Sequence, residues 1–293
     1  MRTAKAIDGA TLAWQAEGAG PTVVLCNGIA NDAFQWARLL ELLRGRARVV
    51  TWDYRGHGAS EPARDLATLE VGHLAEDLRA VLDAAEVERA ALIGYSMGSQ
   101  VVFEAWRRLP ERVAGLVSVL GCAGRTFDQA AGPAVGRVAH ALVCRTPVAL
   151  VGANLRLWSA RPRVAHAAAL RTGIFEPEIA LSAFAGWWAH LGKLDPATFH
   201  AMMAGLQRHD AEDVLPTVRV PTLVVSGGRD LFVRPAVGRR LAAAIPGAEL
   251  AEYPRATHAG LVGHAAEMPG RIVGFLERHA LVIADTPPPA RSA

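Results

Sequence analysis

Cysteine is scarce in this 293-residue chain: Cys26, Cys122 and Cys144 are odd in number and show no C-x-x-C spacing. That pattern speaks against a disulfide framework and a zinc site, and it suits a reducing compartment. Lysine is scarcer still. Of 31 basic residues all but Lys5 and Lys193 are arginine, scattered along the chain, and the formal net charge is only +3. So small and dispersed an excess is no nucleic-acid footprint, and no nucleic-acid partner is expected. No apolar run is long enough to span a bilayer, and the N-terminal MRTAKAIDGA has charge but no apolar h-region. The expectation is a cytoplasmic protein without a membrane span. Nucleotide and metal motifs are missing too: there is no G-x-x-x-x-G-K-S/T and no H-E-x-x-H, and Arg55-Gly56-His57-Gly58 meets Glu61 where a dinucleotide turn needs its third glycine. No cofactor and no metal is expected. His209, Asp210 and Asp213 read as a solvated hinge instead of metal ligands.

What is present is apolar residue in periodic order. The chain is 51% hydrophobic, enough for a core that needs no disulfide or metal. Short β-branched runs at Thr22–Cys26, Arg48–Trp52, Ala90–Ile93 and Val113–Leu120 read as buried strands. Between them, 33–43, 68–85 and 99–109 carry apolar residues at helical spacing. The alternation resumes with strands at 221–226 and Glu249–Tyr253 and helices at 236–245 and 265–279. Strands separated by helices of this length predict right-handed βαβ units, an α/β fold with a mostly parallel sheet flanked by helices. Asp8-Gly9 predicts an antiparallel hairpin at the sheet edge. From about Gly124 to Val214 the strand signals vanish into alanine, leucine and arginine. The reading is a core of 1–123 and 214–283, a helical cap inserted at 124–213, and a disordered tail at 284–293.

The sharpest local signal is Gly94-Tyr95-Ser96-Met97-Gly98, set between the strand ALI and a helix. A tight strand-to-helix turn holds its central residue in a strained conformation and needs glycine on either side. It lifts the hydroxyl clear of the sheet and sets it at a helix N-terminus, where developing negative charge is favoured. GYSMG in this setting resembles the nucleophile elbow of α/β-hydrolases. CNGIANDAFQW, DYRGHGAS, and SGGRD followed by ATHAG are similar to that family's pattern as well. The resemblance implies the α/β-hydrolase fold with a helical cap, and a serine hydrolase triad running serine, acid, histidine. Ser96 is then the nucleophile, His258 the base and Asp230 the acid that fixes its tautomer. His264 is the fallback base, Asp128 the competing acid, and His279 a surface residue; His57 belongs to a turn that shapes the site wall.

The same resemblance puts the oxyanion donors on the backbone of Ile29 and Met97, with Asn27 and Gly28 supporting the loop. Many relatives have His-Gly where Asn27-Gly28 stands, and asparagine can hold the loop but cannot titrate. Cys26 reads as a buried hydrophobe. Trp187-Trp188 either lines an acyl pocket or packs cap on core. The function expected is cleavage of a small-molecule carboxylic ester with an apolar acyl or aromatic part, lactones and polyester oligomers included. Two alternatives stand beside it: C–C hydrolysis of a meta-cleavage-type diketone, which would need a cap arginine such as Arg156 or Arg171 for the substrate carboxylate, and a catalytically silent binding module on the same fold. The oligomeric state is left open.

Overall fold

The computed structural model describes residues 1–284; the tail expected to be disordered falls almost wholly outside the described residues. Among the described residues eight strands form one sheet: β1 (Arg2–Lys5), β2 (Thr11–Glu17), β3 (Thr22–Cys26), β4 (Arg48–Trp52), β5 (Ala90–Tyr95), β6 (Val113–Val119), β7 (Thr222–Gly227) and β8 (Glu249–Tyr253). Their spatial order is β1-β2-β4-β3-β5-β6-β7-β8. From β4 to β8 every neighbour is parallel, whereas the hairpin β1–β2 pairs antiparallel at the edge, as Asp8-Gly9 suggested. β3, β5, β6 and β7 are buried almost throughout, which is what near-continuous Val, Ile and Leu runs produce when helices cover both faces.

Those covers are distinct. On one face Leu74, Leu78, Val101, Val102 and Phe103, from helices Val71–Ala84 and Met97–Arg108, pack onto Trp14, Val24, Val50 and Leu92. On the other, Trp36, Leu39, Leu43, Ile272, Phe275 and Leu276 pack onto Leu25, Ile93, Val117 and Val225. Helix ends differ from the sequence reading where local geometry overrides periodicity. The helix read from residue 68 starts at Val71 because Glu70 is extended (φ −118°, ψ 160°). The helix read from residue 99 starts at Met97, directly after the turn at Ser96. The last helix, read from residue 265, begins at Met268, with a proline in its first turn.

Between β6 and β7 no strand occurs among the described residues. The chain folds there into helices Thr126–Ala131, Pro133–Arg145, Val148–Ala160, Pro162–Thr172, Ala185–Leu191 and Pro196–Arg208. Pro133, Pro162 and Pro196 sit in first turns, where a missing N–H costs nothing, and Pro147 sits just before another. Phe175, Phe184, Trp188 and Leu191 build a separate apolar cluster that also takes in Ala30 and Ala259 from loops of the sheet. The helical segment is thereby packed over the C-terminal ends of the strands.

A buried ion pair fixes the turn after β4. Arg55 donates through Nε and Nη2 to both oxygens of Asp77 (2.6 and 2.7 Å) and through Nη1 to Asp8 (2.5 Å). Two-pronged pairing with a carboxylate satisfies a guanidinium taken out of water.

Candidate active site

Ser96, Asp230 and His258 each follow the carboxyl end of a parallel strand (β5, β7 and β8), the edge at which open α/β sheets place their sites. Ser96 has φ 53° and ψ −116°, a conformation costly for any residue with a side chain. The turn closes so tightly that a Cβ at Gly94 would strike the carbonyl of Gly98, and one at Gly98 would strike that of Cys26. Glycine at both positions is a steric requirement.

The three side chains meet. His258 Nδ1 is 2.8 Å from Asp230 Oδ2, and His258 Nε2 is 2.8 Å from Ser96 Oγ. An ionised carboxylate can only accept, so Nδ1 carries the ring proton and Nε2 accepts from the serine hydroxyl. Asp230 is buried, and its second oxygen accepts the N–H groups of Phe232 and Val233 (2.8 and 2.9 Å). Those two bonds leave one oxygen free and aim it at the imidazole.

The loop after β3 is pinned on several sides. Asn27 Oδ1 accepts from Trp36 Nε1 (2.7 Å) and Gln35 Nε2 (3.2 Å), its Nδ2 donates to the Trp52 carbonyl, and its own carbonyl accepts from Tyr54 Oη. The Asn31 N–H donates to the Gly28 carbonyl at 3.3 Å, which turns the opposite end of that trans peptide, the Ile29 N–H, the other way. Among the described residues the Ile29 N–H has no hydrogen-bond partner, and Ile29 and Met97 both border the cavity beside Ser96. Ala30 has φ 58° and is bonded at both ends: its N–H donates to His57 Nε2 (3.1 Å), and its carbonyl accepts from Trp187 Nε1 of the cap (2.8 Å).

Other sequence candidates lie elsewhere. His264 faces Glu176 at 3.9 Å, and Asp128 accepts from Gln207 Nε2, so neither joins Ser96. His279 pairs with Glu249 near the surface. His57 is buried with Nδ1 donating to the Arg55 carbonyl, and desolvation lowers its pKa to about 4. It supports the wall from behind and does not border the cavity. Of the hinge residues only His209 departs from the solvated reading: its side chain is buried and bonds Glu104 at 3.1 Å, whereas Asp210 and Asp213 are exposed and Arg107 clasps Asp213. Burial opposes charge on Glu104, but the bonds from His209 and Arg108 hold it down at about 2. No group of His, Cys, Asp and Glu among the described residues could hold a metal. Burial pushes the Cys26 thiol up to about 12, far from a reactive thiolate.

Two supports of His258 escape sequence reading. Tyr95 Oη donates to the His258 carbonyl at 2.6 Å. Glu176, a buried carboxylate from the cap, takes the Thr257 N–H (2.7 Å) and Thr257 Oγ1 (2.8 Å) on its two oxygens. The residue before the imidazole is therefore held from above and the imidazole's own backbone from below.

Ser96 and His258 open into a cavity of about 840 Å³ roofed by the cap. Phe34, Phe175, Phe184, Trp187, Trp188 and Phe232 dominate its wall, with Asn31, Asn154, Thr126 and Thr172 as polar points. No arginine, lysine, aspartate or glutamate lines it among the described residues. Trp187 and Trp188 both line the cavity, and Trp187 also ties cap to core through the Ala30 carbonyl.

A family model described as alpha/beta hydrolase fold matches residues 21–135. The chain is 27% identical to a hydrolase from Pseudomonas aeruginosa PA01, with a TM-score of 0.75 over 94% of this chain and 97% of that one. The chain has the α/β-hydrolase fold. The enol-lactonase from Burkholderia xenovorans LB400 superposes with a TM-score of 0.72 at 26% identity, covering 93% and 99% of the two chains. RutD of Azorhizobium caulinodans, a protein named for carbamate hydrolysis, is 29% identical over 255 residues, 85% of this chain and 89% of that one.

Proposed function

We propose that this α/β-hydrolase cleaves carboxylic esters with an apolar acyl or aromatic part through an acyl-enzyme on Ser96. The observation that carries the reading is the hydroxyl–imidazole–carboxylate chain, 2.8 Å at each link, opening on an uncharged aromatic cavity. His258 Nε2 takes the proton as Ser96 Oγ attacks the acyl carbonyl, and the N–H groups of Ile29 and Met97 hold the resulting oxyanion. Collapse breaks the ester C–O bond, and His258 hands its proton to the leaving alcohol. Water, deprotonated by the same imidazole, then attacks the acyl-enzyme and frees the acid. Asp230 fixes the tautomer and stabilises the imidazolium at each stage.

The wall composition bears on the substrate. Burying methylenes against aromatic rings is favourable at about 0.8 kcal/mol each, whereas an unpaired carboxylate would be strongly penalised there. A meta-cleavage diketone bears such a carboxylate, and the arginines that could grip it, Arg156 and Arg171, are exposed and outside the lining. The enol-lactonase neighbour acts, by its name, on a cyclic ester, and lactones fall within the class proposed here.

The test is a panel of p-nitrophenyl esters from acetate to palmitate beside a ring-cleavage diketone, with fluorophosphonate labelling in parallel. Short-to-medium acyl esters are expected to turn over, the diketone is not, and Ser96→Ala is expected to lose both turnover and label. Turnover of the diketone alone would move the assignment to C–C hydrolysis. An unlabelled, inactive wild type would move it to a silent binding module.

A further inference from the structure

The outer side of the cap combines exposed apolar side chains with charge of one sign. In helix Pro133–Arg145, Val135, Val138 and Leu142 recur at i, i+3 and i+7 and are 54%, 61% and 62% exposed. In Val148–Ala160, Leu150 and Leu157 lie seven apart on one side, both exposed, and in Pro162–Thr172 Val164 shares a face with Arg171. These residues are not a core awaiting cover from their own chain. The inner sides of the same helices are occupied: His140 Nε2 bonds the Ala204 carbonyl, His200 Nε2 bonds the Val143 carbonyl, and Leu155, Trp158, Ala165 and Ala169 line the cavity.

The charge is more telling. From Gln129 to Phe175 there is no aspartate, glutamate or lysine, yet there are six arginines: Arg137, Arg145, Arg156, Arg161, Arg163 and Arg171. All six are exposed, and none has an ion-pair partner among the described residues. Six charges exceed the chain's net +3, so the rest of the molecule is net negative. Unpaired arginines interspersed with exposed Val and Leu along the same three helices match an interfacial helix surface facing anionic lipid. A second copy of this chain fits less well, because it would bring six like charges against six. Among the described residues no single helix is long and apolar enough to cross a membrane; Pro133–Arg145 and Val148–Ala160 together pass on length and composition but bend by 96° and are packed into the cap on their inner sides.

We infer that this face of the cap docks on anionic membrane surfaces, with Val138, Leu142, Leu150 and Leu157 in the acyl–headgroup boundary and the arginines on the phosphates. Helix Val148–Ala160 then separates lipid from cavity by its own width, so an apolar compound dissolved in the bilayer meets the site's outer wall directly. Docking does not depend on the ester reading and can fail or succeed without it.

The experiment is flotation of the full chain with vesicles of phosphatidylcholine alone or with about 30 mol% phosphatidylglycerol. The wild type is expected to bind the anionic vesicles at least tenfold more tightly, and about 0.5 M salt is expected to reverse most of that difference. Arg137→Glu with Arg145→Glu is expected to weaken binding by more than tenfold, and Leu142→Glu with Leu150→Glu to abolish it. Both double variants lie outside the cavity lining and are expected to keep wild-type hydrolysis of a soluble ester, which also reports that they fold. Equal binding to both vesicles, or none to either, overturns the inference. So does a wild-type dimer in sedimentation that Leu142→Glu dissolves without any vesicle binding, since a second copy would then cover the face.

Discussion

His57 shows how far one buried side chain can act without touching the cavity. Its Nε2 must stay unprotonated to accept the Ala30 N–H, and its Nδ1–H is committed to the Arg55 carbonyl. Burial depresses its pKa to about 4, with nearby His190 adding to the shift, against an ordinary value of 6.5. Between pH 6.5 and 4 the unfolded chain therefore binds a proton that the folded chain refuses. This contribution is fully present above pH 6.5 and is lost as pH falls towards 4, at up to about 1.4 kcal/mol per pH unit. Urea midpoints at pH 7 and pH 5 are expected to differ in the wild type and to converge in His57→Gln, apart from what other groups contribute. A wild-type midpoint that does not fall with pH would contradict it. Ser96, Asp230 and His258 could be picked from the sequence because each sits in a short motif at a strand end. The role of His57 could not, since the atom it holds is a backbone N–H 27 residues earlier.

At the level of elements, the buried β-branched strands and their order of alternation were legible, and so was the helical nature of the insertion. Helix starts were less so, because a strained turn at Ser96 or an extended residue at Glu70 overrides periodicity. Least legible was the contact between insertion and base loop. Glu176 lies 81 residues from Thr257, in an alanine-rich stretch with no motif, and only packing brings it there. Glu176→Ala leaves the buried Thr257 N–H without its acceptor, an expected cost of about 1–3 kcal/mol. The loosened His258 loop is expected to lower kcat by about 10- to 100-fold with a smaller change in KM, because misplacement of a reacting group by an ångström is that costly. Steady-state kinetics on a p-nitrophenyl ester and urea denaturation measure the two parts. A stability loss with kcat intact would reduce Glu176 to a structural tie.

For the whole molecule, the buried pair of Arg55 with Asp77 joins three parts of the fold: the edge hairpin through Asp8, the turn after β4, and helix Val71–Ala84. Asp77→Ala would leave a guanidinium that is 1% exposed with Asp8 as its remaining carboxylate, and is expected to cost about 3–5 kcal/mol in urea denaturation. Replacing both partners with apolar residues of similar volume should cost far less. The distribution of charge is also a property of this scale. The arginines are scattered; it is from residues 129–175 of the cap that the acids are withheld.

The two bonds of Ala30 couple these scales. One end of that residue belongs to the core through His57 and the other to the cap through Trp187. Any outward swing of the roof that carries Trp187 along must release a carbonyl only one residue from the proposed oxyanion donor. An open enzyme would then be idle as well as empty, its anion-holding peptide slack until a guest and the roof set it again.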